Sequence, residues 1–150
     1  MSVLRRVTIL TRKEIELVDI TPEIVRTVES SGVEDGTVFV LSLHTTTGLA
    51  VNEGLPDLEA DIADFLAGLV PEERPYRHAR FLHSDGQMAI NAPAHLRGSM
   101  LGFEAFFPVA GGKIVKGSRQ TVYFVELDGP QERTFAIHVV GEPGGGGGRD

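Results

Sequence analysis

The chain has no cysteine among its 150 residues. Disulfides, thiolate metal sites and cysteine nucleophiles are therefore excluded together, and the composition fits a reducing compartment. It also has no apolar run approaching the roughly 20 residues of a membrane span. Met1-Ser2-Val3-Leu4-Arg5-Arg6 lacks the basic-then-apolar order of a secretion signal, so a cytoplasmic location and no membrane partner are expected. Concentrated positive charge is missing too: 14 Lys and Arg stand against 21 Asp and Glu, for a net −7. Phosphate-backbone affinity normally needs a concentrated basic surface, so nucleic acid is not an expected partner. No Gly-x-Ser-x-Gly surrounds Ser99 or Ser118, and no Gly-Lys-Ser/Thr follows Gly111-Gly112 at phosphate-loop spacing. Serine-hydrolase and P-loop readings lose their motifs. No internal repeat is present.

A hydrophobic fraction of 41% with 23% charge is that of an ordinary globular chain, which argues against disorder. One domain is expected over residues 1–143, with 144–150 as a flexible glycine-rich tail that has nothing to bury.

Along the chain, 3–10 and 15–20 read as two strands joined by a tight connection at Thr11-Arg12-Lys13, an opening hairpin. Thr21-Pro22-Glu23 starts a helix with Thr21 as cap; Ile24, Val25 and Val28 form its inner face and Gly32 ends it. Val38-Phe39-Val40-Leu41 is a buried strand leading to His44. Pro56, the acids Asp57, Glu59 and Asp61, and Leu58, Ile62, Phe65, Leu66 and Leu69 at helical spacing predict a second helix. Residues 76–84 read as extended. Asn91 caps a short third helix with Pro93 in its first turn. Strands follow at 103–109, 113–115, 119–127 and 133–140, with turns at Gly111-Gly112 and around Asp128-Gly129-Pro130. Strands and helices run in separate groups, which points to α+β with mainly antiparallel pairing.

The chemistry concentrates in His44-Thr45-Thr46-Thr47-Gly48-Leu49-Ala50-Val51-Asn52-Glu53. His44, His78 and His95 each sit beside polar groups at the edge of an expected element. Three neutral imidazoles meeting in space hold a divalent cation and leave a position open for substrate. Gly48 permits close backbone approach to a ligand, or an unusual turn. Asn52-Glu53 either offers oxygens to a cation or simply begins the acidic helix beyond. Arg97, Lys113, Lys116 and Arg119 are available to an anion or are solvated surface charges.

Taken in order, His44 to Glu53, Pro56-Asp57, Asp61, Tyr76-Arg77-His78 and Asn91-Ala92-Pro93-Ala94-His95-Leu96-Arg97-Gly98-Ser99-Met100-Leu101-Gly102 closely resemble the YjbQ family, a protein family of uncharacterised role. The likeness continues through Pro108-Val109, Gly112-Lys113-Ile114, Gly117-Ser118-Arg119-Gln120 and Glu126-Leu127-Asp128-Gly129-Pro130, and spans roughly Thr8 to Glu142. Two places depart from the family pattern. Gln87-Met88-Ala89-Ile90 stands where members often carry Glu-Gly-Asn or a run of acids, with Asp85 as a displaced substitute. Ser118-Arg119 replaces Thr-Trp, so an aromatic wall has become a cation.

The resemblance implies a two-sheet β-sandwich flanked by a few helices, assembled as a homotrimer. It also implies secondary thiamine-phosphate synthase activity, which joins hydroxymethylpyrimidine diphosphate to hydroxyethylthiazole phosphate with loss of pyrophosphate. Carried over position by position, His44, His78 and His95 are the shared histidines and Asn52, Glu53, Asn91 and Gln120 the matching polar positions; His44, His95, Glu53 and Asn91 are the expected catalytic group. Thr45, Thr46, Asn52, Arg97, Arg119 and Gln120 are expected to bind a small phosphorylated metabolite. His44, His78 and His95 are expected to hold a divalent metal, Mg²⁺ for the transferase reaction or Zn²⁺ at a histidine cluster. His44 and His95 are open to two roles, ligand or proton carrier. Two other readings stand beside the transferase: a non-catalytic trimer that binds a small anion or metal, and a metal-assisted phosphohydrolase.

Overall fold

A computed structural model describes residues 1–78 and 91–145, together with the backbone of 81–82 and 87–88. Ten strands and three helices follow one another among the described residues: β1 (Ser2–Leu10), β2 (Glu16–Asp19), α1 (Thr21–Ser31), β3 (Val33–Ser42), β4 (Thr47–Glu53), α2 (Pro56–Leu69), β5 (Phe81–Leu82), β6 (Gln87–Met88), α3 (Ala92–Leu101), β7 (Glu104–Ala110), β8 (Lys113–Ile114), β9 (Gln120–Glu126) and β10 (Glu132–Pro143). They form a five-stranded sheet in the order β1-β10-β3-β7-β8, a three-stranded sheet in the order β2-β9-β4, and the small β5-β6 pair. Every pairing is antiparallel. This is the α+β, two-sheet architecture expected from the sequence.

Alternation explains how the sheets meet. Val38 and Val40 of β3, Phe107 and Val109 of β7, and Phe135, Ile137 and Val139 of β10 all project to one side, where they pack on Leu49 of β4, Val122 and Phe124 of β9, and Ile24 and Val28 of α1. Each such side chain contributes roughly 1.5–3 kcal/mol on burial, against about 0–1 kcal/mol for an exposed ion pair, so this core sets the stability. The other face of β9 carries Tyr123 and Val125, followed by Leu127 just past its end, beneath Leu66 of α2 and Ala94 of α3. Being covered on both sides, β9 reads as a nearly unbroken apolar run.

The expected opening hairpin is not formed. β1 pairs with β10 in the large sheet, while β2 pairs with β9 in the small one. The turn around Asp128-Gly129-Pro130 likewise carries the chain from one sheet to the other, and so does the 43–46 corner after β3. Local turn chemistry was legible, but the choice of sheet depends on partners more than 100 residues away. By contrast, Gly111 (φ 60°) and Gly112 (φ 73°) do close the β7–β8 hairpin, in the left-handed conformations such a tight turn requires.

Helix starts also differ in detail. Thr21 does not cap α1; its hydroxyl accepts the Val122 N–H at 2.8 Å, and Asp19 Oδ1 accepts the Thr21 N–H at 2.9 Å. Asn91 occupies the cap position of α3 but gives its side-chain amide to Asp128 Oδ2 at 3.0 Å. On α2 only Leu66 is fully buried, and Phe65 stays 66% exposed, because α2 shares the small sheet with α3. Arg77 and His78 lie in a turn rather than a strand, and Tyr76 Oη donates to Pro71 O at 2.6 Å. Of the segment expected to be extended, Ala79, Arg80, His83 and Ser84 lie outside the described residues, as do Asp85, Ala89, Ile90 and the end of the tail, 146–150. Among the described residues no helix is long and apolar enough to cross a membrane.

Candidate functional site

Three sheet-crossing corners meet at one end of the sandwich. Thr11 N–H donates to Gln131 O at 2.9 Å, Leu127 N–H to Thr46 O at 3.2 Å, and Gly129 N–H to Glu14 O at 3.0 Å. At their centre lies the Glu126 carboxylate, fully buried. It accepts from Thr11 Oγ1 (2.7 Å), from the Leu127 and Asp128 N–H groups (3.0 and 3.2 Å) and from Arg133 Nε (2.9 Å to Oε1) and Nη2 (2.7 Å to Oε2). Burial pushes this carboxyl up. The hydrogen bonds from Arg133, Thr11 and the Asp128 backbone, with the Arg133 charge, outweigh it and hold Glu126 below its ordinary value. Arg133 Nη2 also donates to Thr46 Oγ1 at 2.8 Å, so Thr46 serves the corner instead of facing a ligand.

His44 stands on this base. Its Nε2 accepts the Thr134 N–H at 2.9 Å, which places the proton of the neutral ring on Nδ1. Burial, then the Arg133 charge, lowers its pKa, with Glu126 opposing. Ser42 Oγ accepts the His44 N–H at 3.3 Å and shares a hydrogen bond with Thr47 Oγ1, which fixes the loop. His44 and exposed Thr45 line a cavity of about 390 Å³ with Ser99 and Phe103.

Helix α3 forms the other wall. A Cβ on Gly98 would stand 2.8 Å from Thr47 O, and one on Gly48 would stand 2.7 Å from Leu101 Cβ, so the two glycines let α3 lie directly on β4. Gly48 thus serves helix packing, where the sequence suggested ligand approach or a turn. One turn earlier on α3, His95 and Leu96 line a second cavity of about 480 Å³ with Tyr76, Arg77, His78 and Ala92. The His78 and His95 rings meet edge to face with centroids 5.0 Å apart.

The remaining expected site residues are dispersed. Arg97 is 1% exposed and caps the end of α2: Nε donates to Leu66 O at 3.0 Å, Nη2 to Ala67 O and Val70 O, and Nη1 to Glu72 at 3.2 Å. Four of its five N–H donors are therefore taken by the fold. Glu53 lies at the far end of β4, six residues and so about 20 Å from Thr47. Arg119 Nη1 approaches it at 3.6 Å in solvent, Asn52 Oδ1 accepts the Glu53 N–H, and Gln120 Oε1 accepts the Gly117 N–H. Within one chain, His44, His95, Glu53 and Asn91 do not face a common point.

The histidine triad does not fit a metal within one chain. Among the described residues no three His, Asp or Glu are arranged to hold an ion, and the Nε2 lone pair of His44 is engaged by a backbone donor. Of the three imidazoles, His78 and His95 are the two that lie in contact.

The sequence reading missed Arg133 altogether and gave Glu126 no role. A signal existed. Glu126 keeps the parity of Val122 and Phe124, and Arg133 that of Phe135, Ile137 and Val139, so each strand places a charge on its core-facing side. Opposite charges at adjoining ends of two buried strands announce a buried pair.

Residues 5–142 match the family described as UPF0047 protein YjbQ-like. A UPF0047 protein of Archaeoglobus fulgidus is 41% identical over 133 residues, covering 89% of this chain and 98% of the relative. YugU of Bacillus subtilis, also a UPF0047 protein, is 32% identical over 139 residues, covering 92% and 99%. The crystal structure of a YbjQ-like protein of unknown function from Sulfolobus solfataricus P2 superposes with a TM-score of 0.87 at 33% identity, covering 95% of this chain and 99% of that one. With the family matched from the first strand to the last, and the fold shared, the chain belongs to the YjbQ family.

Proposed function

We propose that the chain is a transferase of the secondary thiamine-phosphate-synthase kind, acting on a small phosphorylated heteroaromatic substrate as a homotrimer. The observation that carries this reading is the cavity beside α3: about 480 Å³, mainly apolar, with Tyr76 and two imidazoles in its wall and the exposed Arg77 at its rim. An apolar pocket of that size suits a flat ring, and a cation at the rim suits the phosphate the ring carries. In the reaction the methylene–oxygen bond of hydroxymethylpyrimidine diphosphate breaks, its electron pair leaves with pyrophosphate, and the thiazole nitrogen forms the new carbon–nitrogen bond. Arg77 neutralises the departing charge, and His95 holds the ring edge. A divalent cation on His78 and His95 would supply further charge neutralisation for the diphosphate.

A second reading has its own support. The dispersal of His44, Glu53 and Asn91 away from His95 favours a non-catalytic protein that binds a small anion or metal. Purified protein incubated with both precursors and Mg²⁺, with thiamine phosphate measured by chromatography, separates the two. Turnover that His95→Ala reduces at least tenfold supports the transferase. Absent turnover, or a rate unchanged in His95→Ala, overturns it, and phosphate release without acceptor assigns the protein to hydrolysis.

A further inference from the structure

At the end of the small sheet remote from His44, a cavity of about 470 Å³ opens between α1 and the 115–119 loop. Register fixes the separation: Gln120 at its edge pairs with Glu53, about 20 Å along β4 from Thr47 and the His44 corner. Asp19 of β2, Thr21 and Arg26 of α1 and Lys116 of the loop supply its polar wall, while Pro22 and Val25 supply an apolar side. None of these residues has a part in the reaction proposed above.

The hydrogen bonds these groups already make decide what they still offer. Thr21 Oγ1 accepts the Val122 N–H at 2.8 Å, which leaves its own hydroxyl proton for another acceptor. Asp19 Oδ1 accepts the Thr21 N–H at 2.9 Å, which fixes the carboxylate and leaves Oδ2 to accept. Arg26 is oriented through Nη2 by Glu23, so its Nε and Nη1 donors remain. Lys116 Nζ uses one proton on the adjoining Gly117 O at 3.3 Å, and among the described residues it makes no ion pair. Two cations thus stand against one carboxylate around a cavity, in a chain whose net charge is −7. Charges lining a concave wall set the field inside it, so the cavity concentrates anions although the protein as a whole repels them.

Donors and acceptor are divided in a way that selects a ligand. A phosphoryl group offers several acceptor oxygens to an arginine and a lysine held on separate elements. A volume within the roughly 300–1,000 Å³ of small-molecule sites leaves room for more than the phosphate, and Pro22 and Val25 suit a short carbon chain. Asp19 accepts from hydroxyl groups and repels a second phosphoryl group. We propose that this cavity binds a sugar or polyol monophosphate, its phosphoryl oxygens on Arg26 and Lys116, its hydroxyls on Asp19 Oδ2 and Thr21 Oγ1, and its carbons on Pro22 and Val25.

Purified full-length protein titrated with D-ribose 5-phosphate, followed by calorimetry and ¹H–¹⁵N correlation spectra, tests the site. Saturable binding is expected at millimolar concentration or below, with amide shifts centred on residues 19–27 and 116–121. Arg26→Gln and Lys116→Met are each expected to weaken it at least about tenfold, the loss that accompanies one charged hydrogen-bonding partner. Circular dichroism stays unchanged in both, because Arg26 is exposed and Lys116 half-buried. Arg12→Gln, which removes an exposed cation outside the cavity, is expected to change affinity less than about twofold. Inorganic pyrophosphate is expected to bind more weakly than ribose 5-phosphate in the wild type and to gain on Asp19→Asn. No saturable binding, shifts confined to the residues around His95, or an affinity that both cation variants leave unchanged overturns the site. Pyrophosphate or inorganic phosphate bound as tightly as ribose 5-phosphate overturns the assignment of a hydroxylated monophosphate.

Discussion

Arg133 Nη2 lies 2.7 Å from Glu126 Oε2 at the point where the chain passes from β9 in the small sheet to β10 in the large one. The two side chains are 4% and 0% exposed. Thr11, Thr46 and the backbone of Leu127 and Asp128 complete the network, so one ion pair ties together three corners that are remote in sequence.

Removing one partner leaves a buried charge without compensation. Arg133→Met and Glu126→Leu are each expected to lower unfolding free energy by about 3–5 kcal/mol, whereas the double substitution loses less than either alone. Urea titrations of the three variants check this. A double variant as unstable as the sum of the singles would show that the pair is not coupled.

Arg97 fastens α3 to the end of α2. Arg97→Met removes the side-chain donor from the Leu66, Ala67 and Val70 carbonyls, of which Leu66 O keeps the Val70 N–H, at a cost of about 3 kcal/mol. Arg97→Lys recovers little, since an ammonium lacks the planar fork that reaches several carbonyls at once. Thermal melts and hydrogen exchange over residues 66–72 read the effect; full rescue by lysine would refute it.

Gly98→Ala sets helix propensity against packing. Alanine favours the helix by about 1 kcal/mol, yet its Cβ would stand 2.8 Å from Thr47 O, backbone that cannot swing aside. Packing wins, with a net loss of roughly 1–3 kcal/mol. Circular dichroism melts decide the sign.

Stability should respond to acid in two stages. The folded pKa of His44 lies below the ordinary 6.5, so the folded state binds fewer protons there than the unfolded one. Its contribution is complete above pH 6.5 and is lost as pH falls through the lowered folded value. Glu126 follows the same sign from 4.5 downward. Unfolding free energy measured from pH 8 to pH 4 is expected to decline below pH 6.5, and His44→Asn is expected to flatten that first decline. An unchanged slope would remove His44 as its source.

Much of the site could be nominated from residue types but not assembled from them. His44 and Thr45 do share a cavity, and Tyr76, Arg77, His78 and His95 share another. Arg97 looked like an anion binder because its sequence neighbours give no hint that the α2 carboxyl-terminal carbonyls lie beneath it. Glu53 looked close to His44 because only eight residues separate them in sequence, but an extended strand converts that interval into distance.

Residue order by itself placed most of the elements: apolar runs and alternation located β3 and the strands after α3, a proline in the first turn marked each of the three helices, and Gly111-Gly112 closed its hairpin, while the break that separates β4 from β3 was not visible. It also carried the family, whose motifs are local strings. What only the tertiary structure decided was which sheet each strand joins, that β1 and β2 part company across Thr11, and that Glu126 and Arg133 face each other. Secondary structure follows from interactions within a few residues. Sheet membership and a buried ion pair follow from which distant apolar faces exclude water together, and that is settled only when the whole chain has closed on its core.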